Sequence, residues 1–271
     1  MTHDLSWITF SKLVEIAKKS FRSSFMKVHE DDFNALSTEP TLVLVRATLA
    51  GGIVKNQADA DRIVAVTKTI QNAVGNFHQE VLGSVDGWET LGKAGGVLDI
   101  KSTEPVSLAG HRTVIAEVKM RYNTIKASDE KSMHDKIKDA VNLYGGSKQA
   151  VGYIFQIVPQ NKAGYDRPWV VSGREQVDYV RAADGVTAYH LVTGIDAAYF
   201  QLMDVLPEVI REAAEELRAA VPPKTKSMGA IDLGQPPVED PTADAGSLFT
   251  SEEVRNLIRA SMPDSSNLSN G

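Results

Sequence analysis

Apolar residues recur at helical spacing through the first third of the chain and then gather into short, nearly continuous runs. Phe10, Leu13, Val14, Ala17 and Phe21 share one helical face, as do Ile63, Val66, Ile70, Val74, Phe77 and Val81. Asp59 or Asp61 is placed to open the latter helix and Gly83 to close it. Between them, residues 33–51 read as a further, more apolar helical stretch. Glycines from Gly92 to Gly96 break the pattern, a short strand follows at 97–100, and a longer one at 112–120. The link between these strands contains Pro105 and Gly110 and reads as a hairpin loop.

Helical spacing returns at 128–144 through Met133, Ile137, Val141 and Tyr144. Ser128 stands at the N-cap position, with Asp129 and Glu130 suited to the first turn. Two more apolar runs, 150–159 and 187–193, read as strands with an irregular stretch between them. Residues 196–220 form an amphipathic helix carrying Leu202, Val205, Ile210 and Leu217. Pro222 and Pro223 stop it. The order predicts an α/β fold: a mixed central sheet flanked by helices, with a helical N-terminal region. Residues 1–221 read as one domain. Residues 222–271 read as a partly flexible linker followed by a short C-terminal helix at 251–261.

Composition narrows the chemistry. The chain has 271 residues, 42% of them hydrophobic, and no cysteine. Disulfides, thiol nucleophiles and cysteine-ligated metals are therefore excluded. No apolar run approaches the roughly 18 residues of a membrane span. The first residues lack the basic and apolar regions of a secretory signal, so a cytoplasmic protein is expected. Net charge is −6, yet residues 101–150 hold nine basic against six acidic residues. From Asp196 onward there are six basic and thirteen acidic residues. The acidic total hides a basic middle.

There is no glycine-rich phosphate loop and no dinucleotide fingerprint, and the six histidines show no metal-ligand spacing. The triplet acid–x–Lys occurs three times, no more than composition supplies, so context decides its value. On the apolar strand at 113–118, alternation sends Glu117 and Lys119 to the same face as Ile115. Asp99, at the end of the neighbouring strand, brings a second carboxylate beside Glu117. Two adjacent carboxylates repel, and a hard divalent cation removes the penalty. Magnesium would take Asp99, Glu117, a backbone carbonyl such as that of Val118, water and phosphate oxygens. Lys119 would then face the scissile phosphate. A second reading stays open, in which Lys119 merely pairs with Asp99 or Glu117 at a sheet end.

The Asp…Glu-x-Lys arrangement resembles the PD-(D/E)xK nuclease superfamily. The wider set is more specific: Asn76-Phe77-His78-Gln79-Glu80, Gly87-Trp88-Glu89, Leu98-Asp99-Ile100 and Glu117-Val118-Lys119, continuing to Asn123-Thr124. It is similar to the type II restriction endonucleases that cleave GGNCC-type sites. The resemblance implies a restriction-endonuclease-like core that hydrolyses double-stranded DNA with Mg²⁺, in a homodimer that places one active site on each strand. It implies Asp99 and Glu117 as metal ligands and Lys119 as the catalytic lysine. Gln79, or less directly Glu80, would complete the site from the preceding helix. Arg121, Asn123, Thr124, Lys126, Ser128 and Lys131 follow the catalytic strand and suit contacts to phosphates and base edges, whereas Trp88 suits the core. Two alternatives are a repair or structure-specific nuclease of the same superfamily and a DNA-binding module without catalysis.

Overall fold

The computed structural model describes residues 4–29, 54–92, 98–123, 125–160 and 162–220, together with Asn256 and Met262. Helices α1 (Phe10–His29) and α2 (Val54–Gly83) come first. Strands β1 (Trp88–Thr90), β2 (Ile100–Ser102) and β3 (Thr113–Arg121) follow. Helix α3 (Ala127–Leu143) crosses to β4 (Ala150–Val158). Strands β5 (Asp166–Pro168) and β6 (Val180–Asp184) lead to α4 (Gly185–Thr193) and α5 (Ala198–Ala220). The sheet order is β1-β2-β3-β4-β6-β5. Pairing is antiparallel from β1 to β3, parallel across β3, β4 and β6, and antiparallel at β5. The chain is thus α/β with a mixed sheet, and α3 is the crossover that parallel β3 and β4 require.

The sheet separates two apolar clusters. On one face Val114, Ala116 and Val118 of β3 and Val151, Tyr153 and Phe155 of β4 pack with Leu13, Phe77, Val81, Leu82 and Leu202. Trp88 packs against this cluster, as expected of a core tryptophan, and Met262 is buried in it. On the other face Ile115, Ile154 and Ala182 meet Ile137, Ala140 and Val141 of α3, with Trp169 alongside. Each such large apolar side chain contributes about 1.5–3 kcal/mol by leaving water. Gly152, the neighbour of Ile115 on β4, lets α3 settle close. A Cβ there would stand 2.3 Å from Ile137 Cγ2 and 3.0 Å from Val141 Cγ2.

Several sequence expectations are corrected. Residues 187–193 are helical, within α4, and the strand belongs to the preceding 180–184. The cause is Asp184, fully buried, whose Oδ1 accepts the N–H groups of Val186 and Thr187. Its Oδ2 accepts the Thr187 hydroxyl and the Tyr165 N–H, so every buried charge site is bonded. The cap of α3 is Lys126 rather than Ser128, and Ser128 Oγ donates instead to Asp129. Asp59 and Asp61 lie inside α2, which starts at Val54. The short strand expected at 97–100 is displaced to Ile100–Ser102. The expected helices at 33–51 and 251–261 and the linker after Pro222 lie outside the described residues, apart from Asn256 and Met262. Among the described residues, no helix is long and apolar enough to cross a membrane.

Candidate active site

The site lies where β2 begins against the second half of β3. The backbone N–H of Asp99 donates to the Ala116 carbonyl at 3.0 Å, and its own carbonyl accepts from Leu91 at 2.8 Å. One residue before the ladder proper, Asp99 is thereby pinned between β1 and β3. Its side chain turns along the sheet, and Oδ2 accepts the Val118 N–H at 2.8 Å. In an extended strand the N–H and C=O of one residue point to the same side. The Val118 carbonyl is therefore directed toward the Asp99 side of β3, where β2 has not yet started.

Glu117 and Lys119 flank Val118 and share the face of Ile115. Glu117 is 6% exposed and is the buried carboxylate of the pair. Its Oε1 lies 2.6 Å from Lys119 Nζ and its Oε2 3.5 Å from Lys136 Nζ on α3. Burial pushes the Asp99 carboxyl above its ordinary range, and the charge of Glu117 pushes it further. The Val118 N–H and the two lysines oppose that rise. Asp99 and Glu117 therefore stand close enough to repel.

That repulsion is what a divalent cation would relieve, so the residues present fit one. Among the described residues no cluster of three or more His, Asp or Glu side chains forms a self-sufficient cage. A cation here would rest on Asp99, Glu117 and the Val118 carbonyl, completing its shell with water and phosphate oxygens. Magnesium suits so sparse a protein donor set, because it keeps several waters.

The remaining predicted residues are dispersed. Gln79 is half-buried on α2, whose Phe77, Val81 and Leu82 pack on the face of the sheet opposite Glu117. Among the described residues no hydrogen bond joins it to Asp99, Glu117 or Lys119. Glu80 pairs with Lys19 of α1 at 2.9 Å. Arg121, Asn123, Lys126, Ser128 and Lys131 are exposed along the path from the end of β3 into the first turns of α3. Thr124 lies outside the described residues. This path leaves the carboxyl end of a parallel strand, the usual place for ligands in such sheets.

Two further groups join the site. Lys136 comes from α3, on the helical face of Met133 and Ala140, a place that does not single it out in the sequence. Gln156 on β4 is the register partner of Lys119, and its Oε1 accepts the Tyr165 hydroxyl at 2.5 Å. Burial, then the nearby Asp184, pushes the Tyr165 phenol up to about 12, so it stays a donor. A glutamine within the apolar run of β4 was the only hint of it.

Comparisons with known proteins converge. The family model of the Eco47II restriction endonuclease matches residues 5–215. The type II restriction enzyme Eco47II of Escherichia coli is 33% identical over 156 residues, covering 55% of this chain and 62% of that protein. The type II restriction enzyme Sau96I of Staphylococcus aureus is 29% identical over 181 residues, covering 61% of this chain and 65% of that protein. The chain thus spans just under two thirds of the length of the curated relatives it matches.

Proposed function

The chain belongs to the Eco47II restriction endonuclease family, and from that membership and its acidic pair we propose that it cuts double-stranded DNA at a specific sequence with the help of Mg²⁺. The observation that carries the reading is the meeting of Asp99, Glu117 and Lys119 around the Val118 peptide. A structural ion pair would need only one carboxylate. Two of them side by side, with Asp99 raised in pKa first by burial and then by the charge of Glu117, make a place for a cation.

Asp99, Glu117 and the Val118 carbonyl hold the cation in this reading, which supplies Lewis-acid polarisation of a phosphate oxygen when bound. Lys119, which lies against Glu117, would orient the attacking water and offset the charge growing on the phosphate. Arg121, Asn123, Thr124, Lys126, Ser128 and Lys131 read the duplex next to the cut, some through phosphates and some through base edges. Gln79, on the helix that packs against the opposite face of the sheet, takes no part in this reading.

The recognition sequence we propose is of the GGNCC type, on the strength of the segments at 76–80, 87–89 and 117–124. Such a site is two-fold symmetric, so a homodimer with one active site per strand follows. Digestion of a DNA of known sequence with Mg²⁺, followed by mapping of fragment ends, tests the proposal. Discrete fragments ending at one repeated sequence are expected, and they should vanish in Lys119→Ala. A smear would point instead to a repair nuclease, and intact DNA would end the enzymatic reading.

A further inference from the structure

Glu117 is gripped by two ammonium groups from two different elements. Lys119 reaches Oε1 from two positions along the same strand, and Lys136 reaches Oε2 from the crossover helix. Ile137, the neighbour of Lys136 in sequence, seats over Gly152 of β4, where a Cβ would stand 2.3 Å from Ile137 Cγ2, so this turn of α3 lies close against the sheet. The Lys136 side chain is 42% exposed while that of Glu117 is 8% exposed. The ammonium is therefore at the mouth of the site, and it can leave Glu117 without stranding its own charge in a dry interior.

Charge balance gives this contact a meaning beyond a surface pair. In the free protein Asp99 and Glu117 face Lys119 and Lys136, and the four charges cancel. A divalent cation then brings a surplus of two. A phosphodiester carries one negative charge and gains a second as hydroxide adds to phosphorus. The loaded site therefore matches the most highly charged point of the reaction, where preorganised charge acts most strongly. Without Lys136 the match is short by one.

We propose that Lys136 is the second cationic residue of the active site: it holds Glu117 in the free protein, contests it with the divalent cation, and transfers to a non-bridging oxygen of the scissile phosphate once the cation is bound. The inference rests on the reading of the chain as a DNA-cutting enzyme.

Lys136→Met separates these roles. Titration of the DNA-free protein with Mn²⁺ by calorimetry should show binding tightened about three- to thirtyfold, because a competing positive charge is gone. Single-turnover cleavage of a duplex bearing the recognition sequence should slow by roughly ten- to a hundredfold. Duplex affinity measured in Ca²⁺ should change far less than the rate. Lys136→Arg should regain part of the rate, and Lys138→Met on the same helix should resemble the unaltered protein in both assays. Unchanged Mn²⁺ affinity together with full cleavage in Lys136→Met would overturn the proposal. Weakened Mn²⁺ binding would overturn the competition it describes. If the unaltered protein cuts no DNA, the nuclease reading and the transfer to phosphate both fall, and the Mn²⁺ titration alone then decides whether Lys136 contests Glu117.

Discussion

The carboxylate of Asp99 takes the hydrogen bond of Val118 that a strand carbonyl would otherwise take, with Oδ2 2.8 Å from the amide nitrogen. One residue thus ends a ladder and presents a charge at the same point. Asp99→Asn retains a carbonyl oxygen for that N–H and loses the buried charge, so its melting temperature in the absence of metal should be unchanged or higher. Its cleavage should fall by at least about a hundredfold, since the charge that would hold a cation is gone. Asp99→Ala should in addition lose about 1–3 kcal/mol of stability, because the Val118 N–H is left without an acceptor. Thermal melts and cleavage time courses on both variants check the split.

Glu117→Gln removes the partner of Lys119 and Lys136 at once. Mn²⁺ binding by calorimetry should weaken beyond detection and cleavage should disappear. Affinity for the duplex without added metal should hold or rise, because two lysines then face the DNA with no carboxylate between them.

The raised pKa of Asp99 fixes the direction of a pH effect. A carboxyl whose folded pKa lies above its unfolded value favours the folded state below the unfolded pKa, and this contribution is lost as pH rises through the folded pKa. Ionised Asp99 is thus a destabilising element that a bound cation converts to a stabilising one. Mn²⁺ affinity should begin to fall, on acidification, at a higher pH than for an ordinary aspartate near 3.9. The melting temperature gained on adding Mn²⁺ should shrink over the same range. Calorimetry and melts between pH 4 and 7 measure both.

His78 gives the opposite slope. It is buried on α2, its Nδ1 is 2.8 Å from the Tyr189 hydroxyl, and burial lowers its pKa to about 4. A histidine depressed on folding stabilises the neutral-pH fold, and that contribution is lost as pH falls from about 6.5 toward 4. The loss is about 3 kcal/mol at its lower end. Tyr189→Phe should cost roughly 1–3 kcal/mol at neutral pH by stranding a ring nitrogen. Denaturant unfolding at several pH values checks both figures.

How far the residues announced this arrangement depends on what each signal measures. The apolar run of β3 with Glu117 and Lys119 on one face was legible, because alternation on a strand is a local property. So was α3, whose apolar spacing matches its buried face of Ile137, Ala140 and Val141. Residues 187–193 read as a strand because a short apolar run has no distinguishing period when it is buried all round. The deciding feature was Asp184, a capping side chain whose partners include Tyr165, 19 residues earlier. Strand β6, Val-Arg-Ala-Ala-Asp at 180–184, is poor in β-branched residues and earns its place from burial between β4 and β5. Lys136 and Gln156 could not be found by spacing, since their approach depends on which strand α3 crosses and on the register of β3 with β4.

Gly152→Ala tests the seating of α3. The added methyl meets Ile137 Cγ2 and Val141 Cγ2, and overpacking of this kind costs about 1–3 kcal/mol. The helix should ride outward, lengthening the reach from Lys136 to Glu117. Cleavage should therefore drop while the isolated Mn²⁺ affinity rises, as in Lys136→Met but with a lower melting temperature.

The methyl that Gly152 lacks, on the strand beside the one that carries Glu117 and Lys119, thus leaves room for the helix that bears Lys136 to lie close to the sheet. Random variation at that spot would be screened for chemistry although it touches no DNA. A survey of such changes by cutting activity should find Gly152 less tolerant than its lost stability alone explains, though more tolerant than the two acids.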